Sequence, residues 1–107
     1  MQEKIKILTE ESFEQNVQHG TLLIDFYADW CGPCRMMTPI LENVAHQMHG
    51  SATIAKIDID HAQKIASTYQ VTSIPTLILL KEGKELGRLV GLCDEKAVIR
   101  FIQSSIA

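Results

Sequence analysis

The chain reads as an α/β protein, a central mixed five-stranded sheet flanked by four helices, in the order βαβαβαββα. Three observations predict it. Apolar residues switch repeatedly between strand period and helix period along the chain. Thr21 to Ala28 is nearly continuous apolar sequence, as in a central strand covered on both faces. Two strand-like runs, Pro75 to Lys81 and Lys84 to Val90, flank a Glu82-Gly83 turn and read as an antiparallel hairpin. Strand–helix–strand order in the first half implies right-handed crossovers and parallel pairing, while the hairpin makes the second half antiparallel.

Lys4 to Leu8 alternates Ile5 and Ile7 with polar positions, a short first strand. Thr9 is placed to N-cap a helix through about Gln18, with Glu10 and Glu11 at its positive end and Gly20 beyond its finish. The strand Thr21 to Ala28 follows. From Pro33 to His49, the residues Met37, Ile40, Leu41, Val44, Ala45 and Met48 fall on one helical face, and Pro39 interrupts the hydrogen-bond ladder. Gly50 closes that helix. Ala52 to Ile59 is the third strand, and Asp60 is a good N-cap for a helix from His61 to Tyr69. After the hairpin, Asp94 caps a last helix carrying Ala97, Val98, Phe101 and Ile102.

At 107 residues this is one domain, 1–107, large enough for a core without disulfide staples. The hydrophobic content of 46% and charged content of 21% are those of an ordinary globular chain. A net charge of −3 gives no attraction to nucleic acid or an anionic membrane. No apolar run reaches spanning length, and the start lacks the apolar core and cleavage site of a signal peptide. The expected location is the cytoplasm, and the expected state a monomer. Three cysteines, an odd number, do not make a disulfide framework.

The chemistry is concentrated in Trp30-Cys31-Gly32-Pro33-Cys34. Two thiols three residues apart can face each other across one helical turn and close into a small disulfide loop. Cys31 comes just before a helix that Pro33 opens at its first turn, so its sulfur meets unpaired backbone N–H groups and the positive end of the helix dipole. That favours thiolate, the attacking species. Cys31 is expected to be exposed and to attack, and Cys34, one turn inside, to be shielded and to resolve the mixed disulfide. The competing zinc reading needs two further ligands; His46 and His49 lie at the far end of the helix. Met36, Met37 and Met48 read as packing.

Asp25 sits among Ile24, Phe26 and Tyr27. A carboxylate buried there has its pKa raised, which suits a group that moves a proton to or from Cys34. Lys56 reads either as a solvated strand residue or as a partner of Asp25 that lowers that pKa. Ile74-Pro75 begins a strand and is a candidate cis peptide. Gly91 ends the hairpin and leaves room for a substrate backbone. Trp30 is a docking surface or packing, and Cys93 is the odd thiol.

Taken together, DFYADWCGPC, Pro39, the KIDID strand, Ser73-Ile74-Pro75-Thr76, the KEGKE turn and Val90-Gly91 resemble the thioredoxin family, of the bacterial type, end to end. The resemblance implies the thioredoxin fold and a protein-disulfide reductase with no bound cofactor other than its own Cys31–Cys34 redox disulfide. Its implied partners are disulfide-containing proteins and a flavoprotein thioredoxin reductase using NADPH. It further implies that Pro75 is cis and faces the disulfide, that Asp25 is the proton-transfer acid with Lys56 near it, and that Trp30, Gly32, Pro33, Ile59, Ile74, Pro75, Val90 and Gly91 form the docking surface. A lowered thiol pKa in the CxxC motif is a known property of thioredoxins, so it comes with the resemblance. Tyr27 stands where many members carry a second tryptophan, Thr72-Ser73 replaces a frequent Arg-Gly, and Cys93 lies outside the pattern. Gly32-Pro33 between the thiols favours reduction over the oxidant and isomerase branches, which usually carry a histidine there. A binding module with incidental thiols is the remaining alternative.

Overall fold

A computed structural model describes residues 5–107. Its elements are β1 (Lys6–Leu8), α1 (Phe13–Val17), β2 (Thr21–Tyr27), α2 (Gly32–Gln47), β3 (Thr53–Asp58), α3 (Gln63–Thr68), β4 (Thr76–Lys81), β5 (Lys84–Val90) and α4 (Glu95–Ile106). The five strands form one mixed sheet in the order β1-β3-β2-β4-β5. β3 pairs parallel with both β1 and β2, and β4 pairs antiparallel with β2 and β5. The expected thioredoxin fold, with its mixed sheet and four helices, is the fold observed.

Alternation along β2 builds a core on each face, because successive side chains point to opposite sides. Leu22, Ile24 and Phe26 pack with Phe13 and Val17 of α1 and with Tyr69, which follows α3. Leu23 faces the other way and joins Met37, Leu41 and Val44 of α2 and Val98 and Ile102 of α4. So α1 and α3 cover one face, and α2 and α4 the other. Each fully buried Leu, Ile or Phe contributes roughly 1.5–3 kcal/mol by leaving water, and β2 and β4 supply most of those at the centre of the sheet.

Apart from shifts of one or two residues at other element ends, the starts of three elements differ from the sequence reading. The first strand begins at Lys6, while Lys4 lies outside the described residues. Thr9 does not cap a long α1. Its hydroxyl accepts the Ser12 backbone N–H at 3.1 Å, which closes a separate turn, and the helix proper is Phe13–Val17. Asp60 does not cap α3, which starts after Ala62 without a side-chain cap on its N-cap residue. Instead Glu10, from the turn before α1, accepts the Lys64 N–H at 3.0 Å. By contrast Asp94 accepts the Ala97 N–H at 2.8 Å at the start of α4. In the β4–β5 turn both Glu82 (φ 50°) and Gly83 (φ 82°) are left-handed, the geometry that two-residue hairpins favour.

Candidate active site

Chain direction in the sheet assembles the site. β2 ends at Tyr27, the backbone turns through Ala28 and Trp30, and α2 begins immediately after Cys31. β4 runs antiparallel to β2, so its start, with Pro75 just before it, lies beside that end of β2; the register pairs Phe26 with Thr76. β5 runs antiparallel to β4, so its last residue, Val90, pairs with the same Thr76. The Ile74-Pro75 peptide is cis. Gly91 N–H donates to the Pro75 carbonyl at 2.8 Å, and Thr76 Oγ1 donates to the Ser73 carbonyl at 2.6 Å. These bonds tie the proline loop to the end of β5 on one side and to its own base on the other.

Cys31 and Cys34 are joined as a disulfide, their Cα atoms 5.2 Å apart. Cys31 is the N-cap of α2 in extended conformation (φ −92°, ψ 113°), and its Sγ accepts the Cys34 N–H at 3.2 Å. Gly32 and Pro33 form the first turn, where the proline removes a donor that would have lacked a partner. The same Sγ lies 4.0 Å from the Ile74 carbonyl oxygen. The sulfurs and Ala28 pack against Tyr27, Ile59 and Ile74. Here the expectation of an accessible Cys31 over a shielded Cys34 needs correcting. In the disulfide form both are buried, at 6% and 3% exposure, because the ring they close sits under the loop carrying Ile74.

Around the disulfide, Trp30 and Val90 are exposed, at 67% and 60%. Ile59 follows β3 and bonds its N–H to the Tyr27 carbonyl at 2.9 Å. Thus Trp30, Ile59, Ile74, Pro75, Val90 and Gly91, scattered over sixty residues of sequence, collect at one end of the sheet around Cys31. Trp30 also has a partner that sequence reasoning missed. Its indole Nε1–H donates to the Asp60 carboxylate at 2.9 Å. This is the residue expected to cap α3, and no sequence pattern distinguishes the two uses.

Asp25 is 2% exposed and its Oδ1 has no hydrogen-bond partner. Burial pushes its pKa from the ordinary 3.8 up to about 7, and the positive charge of Lys56 opposes that rise without cancelling it. Desolvation therefore wins the contest that the sequence left open. Lys56 lies opposite Asp25 in the β2–β3 register, yet its Nζ stands over the Tyr27 ring, 4.4 Å from the centroid. Cys93 is half-buried, its thiol against the Gly91 carbonyl at 3.5 Å, and burial followed by the charge of Asp94 raises its pKa. It is the less nucleophilic for that. Among the described residues, no three His, Cys, Asp or Glu side chains gather as a metal site, and no helix is long and apolar enough to cross a membrane.

Comparison with known proteins agrees with the geometry. The thioredoxin family model matches residues 4–104. Over 98 residues the chain is 51% identical to a thioredoxin of Chlamydia pneumoniae, covering 92% of this chain and 95% of that protein. It is 47% identical to a thioredoxin of Chlamydia trachomatis with the same coverage. A Staphylococcus saprophyticus thioredoxin is 38% identical over 99 residues, again 92% of this chain and 95% of the relative. With a dithiol pair at a helix start, a cis-proline beside it and a buried acid on the adjoining strand, the chain belongs to the thioredoxin family, and it is a thiol–disulfide oxidoreductase.

Proposed function

We propose that the protein reduces disulfides of other proteins in two exchanges. In the dithiol form the Cys31 thiolate attacks a substrate sulfur, forming a mixed disulfide and releasing one substrate thiolate. The Cys34 sulfur then attacks Cys31, closing the Cys31–Cys34 bond and releasing the second. Two electrons pass to the substrate, and the protein is left in the disulfide form. The observation that carries the assignment is the Cys34 N–H donated to Cys31 Sγ at 3.2 Å, at the N-terminus of a sixteen-residue helix. The same donor, with the dipole behind it, stabilises negative charge on Cys31 when the bond is open.

Asp25 takes the proton that Cys34 loses on becoming nucleophilic. A carboxyl with a pKa of about 7 is half-ionised near neutrality, so it accepts and returns a proton with little driving force in either direction. Trp30, Ile59, Ile74, Pro75, Val90 and Gly91 receive the substrate chain. Electrons return from NADPH through a flavoprotein thioredoxin reductase, and the reducing cytoplasm is the compartment that suits this direction. Gly32-Pro33 between the thiols supports reduction over oxidation.

The test is Cys34→Ser. The variant should accumulate stable mixed disulfides through Cys31 when mixed with a disulfide protein, and mass spectrometry locates the linkage. Adducts carried on Cys93 would overturn the assignment.

A further inference from the structure

Leu23, Asp25 and Tyr27 alternate along β2 and so point to one face of the sheet. In the parallel register they lie opposite Ile54, Lys56 and Asp58 of β3. Leu23 and Ile54 belong to the core beneath α2 and α4, which identifies the face. On it stand one buried acid, one lysine, one tyrosine and a second acid.

The nearest cation to a buried carboxylate normally pairs with it. Here Asp25 Oδ1 has no hydrogen-bond partner, while the ammonium of the residue directly opposite rests over the Tyr27 ring at 4.4 Å. A ring face attracts a cation through its quadrupole, more strongly where water is partly excluded, and Lys56 is half-buried. The other groups around Asp25 offer the lysine little. β4 brings Leu77 opposite the acid. α2 covers this face with apolar Met37 and Leu41 and carries Cys34 in its disulfide. Asp58 is already engaged, with His61 Nδ1 at 3.1 Å and with the Asp60 N–H at 2.9 Å. Asp29 lies beyond Tyr27, in the turn before the thiols. Lys56 thus has two seats on this face, the tyrosine ring and the acid, and it occupies the ring.

We propose that Tyr27 is a positioning residue that holds the Lys56 ammonium on its ring face, leaving the Asp25 carboxyl without a neutralising partner. The inference rests on the reading of Asp25 as the acid that handles the Cys34 proton. It gives the tyrosine a role that packing alone would not. A cation released from the ring falls toward the carboxylate opposite and stabilises its charged form.

The experiment titrates the Asp25 carboxyl by carbon-13 NMR in the disulfide form, where Cys31 and Cys34 do not ionise. Tyr27→Leu should move the midpoint down by roughly half to one pH unit, the size set by a partly desolvated cation–ring contact. Tyr27→Phe keeps the ring and should leave the midpoint in place. In a Lys56→Met background, Tyr27→Leu should cause no further lowering. Should Tyr27→Leu fold poorly, fluorinated phenylalanines at position 27 weaken the ring face at constant shape, and the midpoint should fall with each added fluorine. An unchanged or raised midpoint in Tyr27→Leu, or an equal fall without Lys56, overturns the proposal; the latter would mean that entering water, not the lysine, moves the acid. The pH profile of mixed-disulfide resolution separates the two readings. If the carboxyl midpoint shifts with Tyr27 but the profile does not, the role of Asp25 fails and the Tyr27–Lys56 coupling stands.

Discussion

The Trp30 indole donates its Nε1–H to the Asp60 carboxylate at 2.9 Å, joining the turn before Cys31 to the loop that follows β3. Both side chains are exposed, so the bond contributes little to stability, under about 1 kcal/mol for groups still in contact with water. It orients an aromatic plane at the rim of the disulfide, on the surface proposed to receive substrate.

Asp60→Ala should therefore leave the unfolding free energy within about 1 kcal/mol of the parent while raising KM for a protein disulfide several-fold, with kcat little changed. Trp30 is the single tryptophan, so its fluorescence anisotropy reports the freed indole directly. An unaltered anisotropy would mean that packing, not the carboxylate, holds the ring.

Asp25 couples stability to pH. Its folded pKa, about 7, lies above the ordinary 3.8, so between these values the folded state holds a proton that the unfolded state has lost. Stability from this group is then greatest near and below pH 4 and declines as pH rises through about 7. Asp25→Ala should flatten that decline. At pH 8 the variant should be more stable than the parent by up to roughly 2–4 kcal/mol, less the cost of the small cavity it leaves. Urea unfolding at intervals from pH 4 to 9 measures both slopes. Parallel curves would show that Asp25 is not buried in this way. Turnover of Asp25→Ala at neutral pH should fall with the fold intact.

At the other end of the chain, Asp94→Ala removes the carboxylate that accepts the Ala97 N–H at 2.8 Å. The loss should be about 1 kcal/mol, the usual value for an N-cap acid, read as a lower urea midpoint with an unchanged slope. Because α4 packs beneath the sheet away from Trp30, disulfide exchange should continue at the parental rate below the new midpoint.

Elements set by local physics were legible before the fold was known. β5 begins after the Glu82-Gly83 turn and ends just before Gly91, as those turn residues predict. The apolar periodicity of α2 marks the residues that reach the core, and Asp94 caps α4 by accepting the Ala97 N–H three residues on, a bond within one turn. Asp25 announced its burial by the company it keeps along β2.

Where several partners compete, the sequence is silent, since the outcome depends on atoms far apart in the chain. Asp60 had the chemistry to cap α3 but lies within reach of Trp30, and Glu10 reaches α3 instead. Lys56 had an acid across the ladder and a ring beside it, and the ring took it. Cys31 read as the outer thiol, yet the loop at Ile74 folds over it. The local sequence determined a dithiol at the mouth of a helix and an acid in an apolar strand, because short-range propensity and periodicity suffice for both. Only the tertiary structure decided what covers the sulfurs and where the Lys56 ammonium rests. Side chains brought together by crossovers choose partners by distance and desolvation, which no spacing along the chain records.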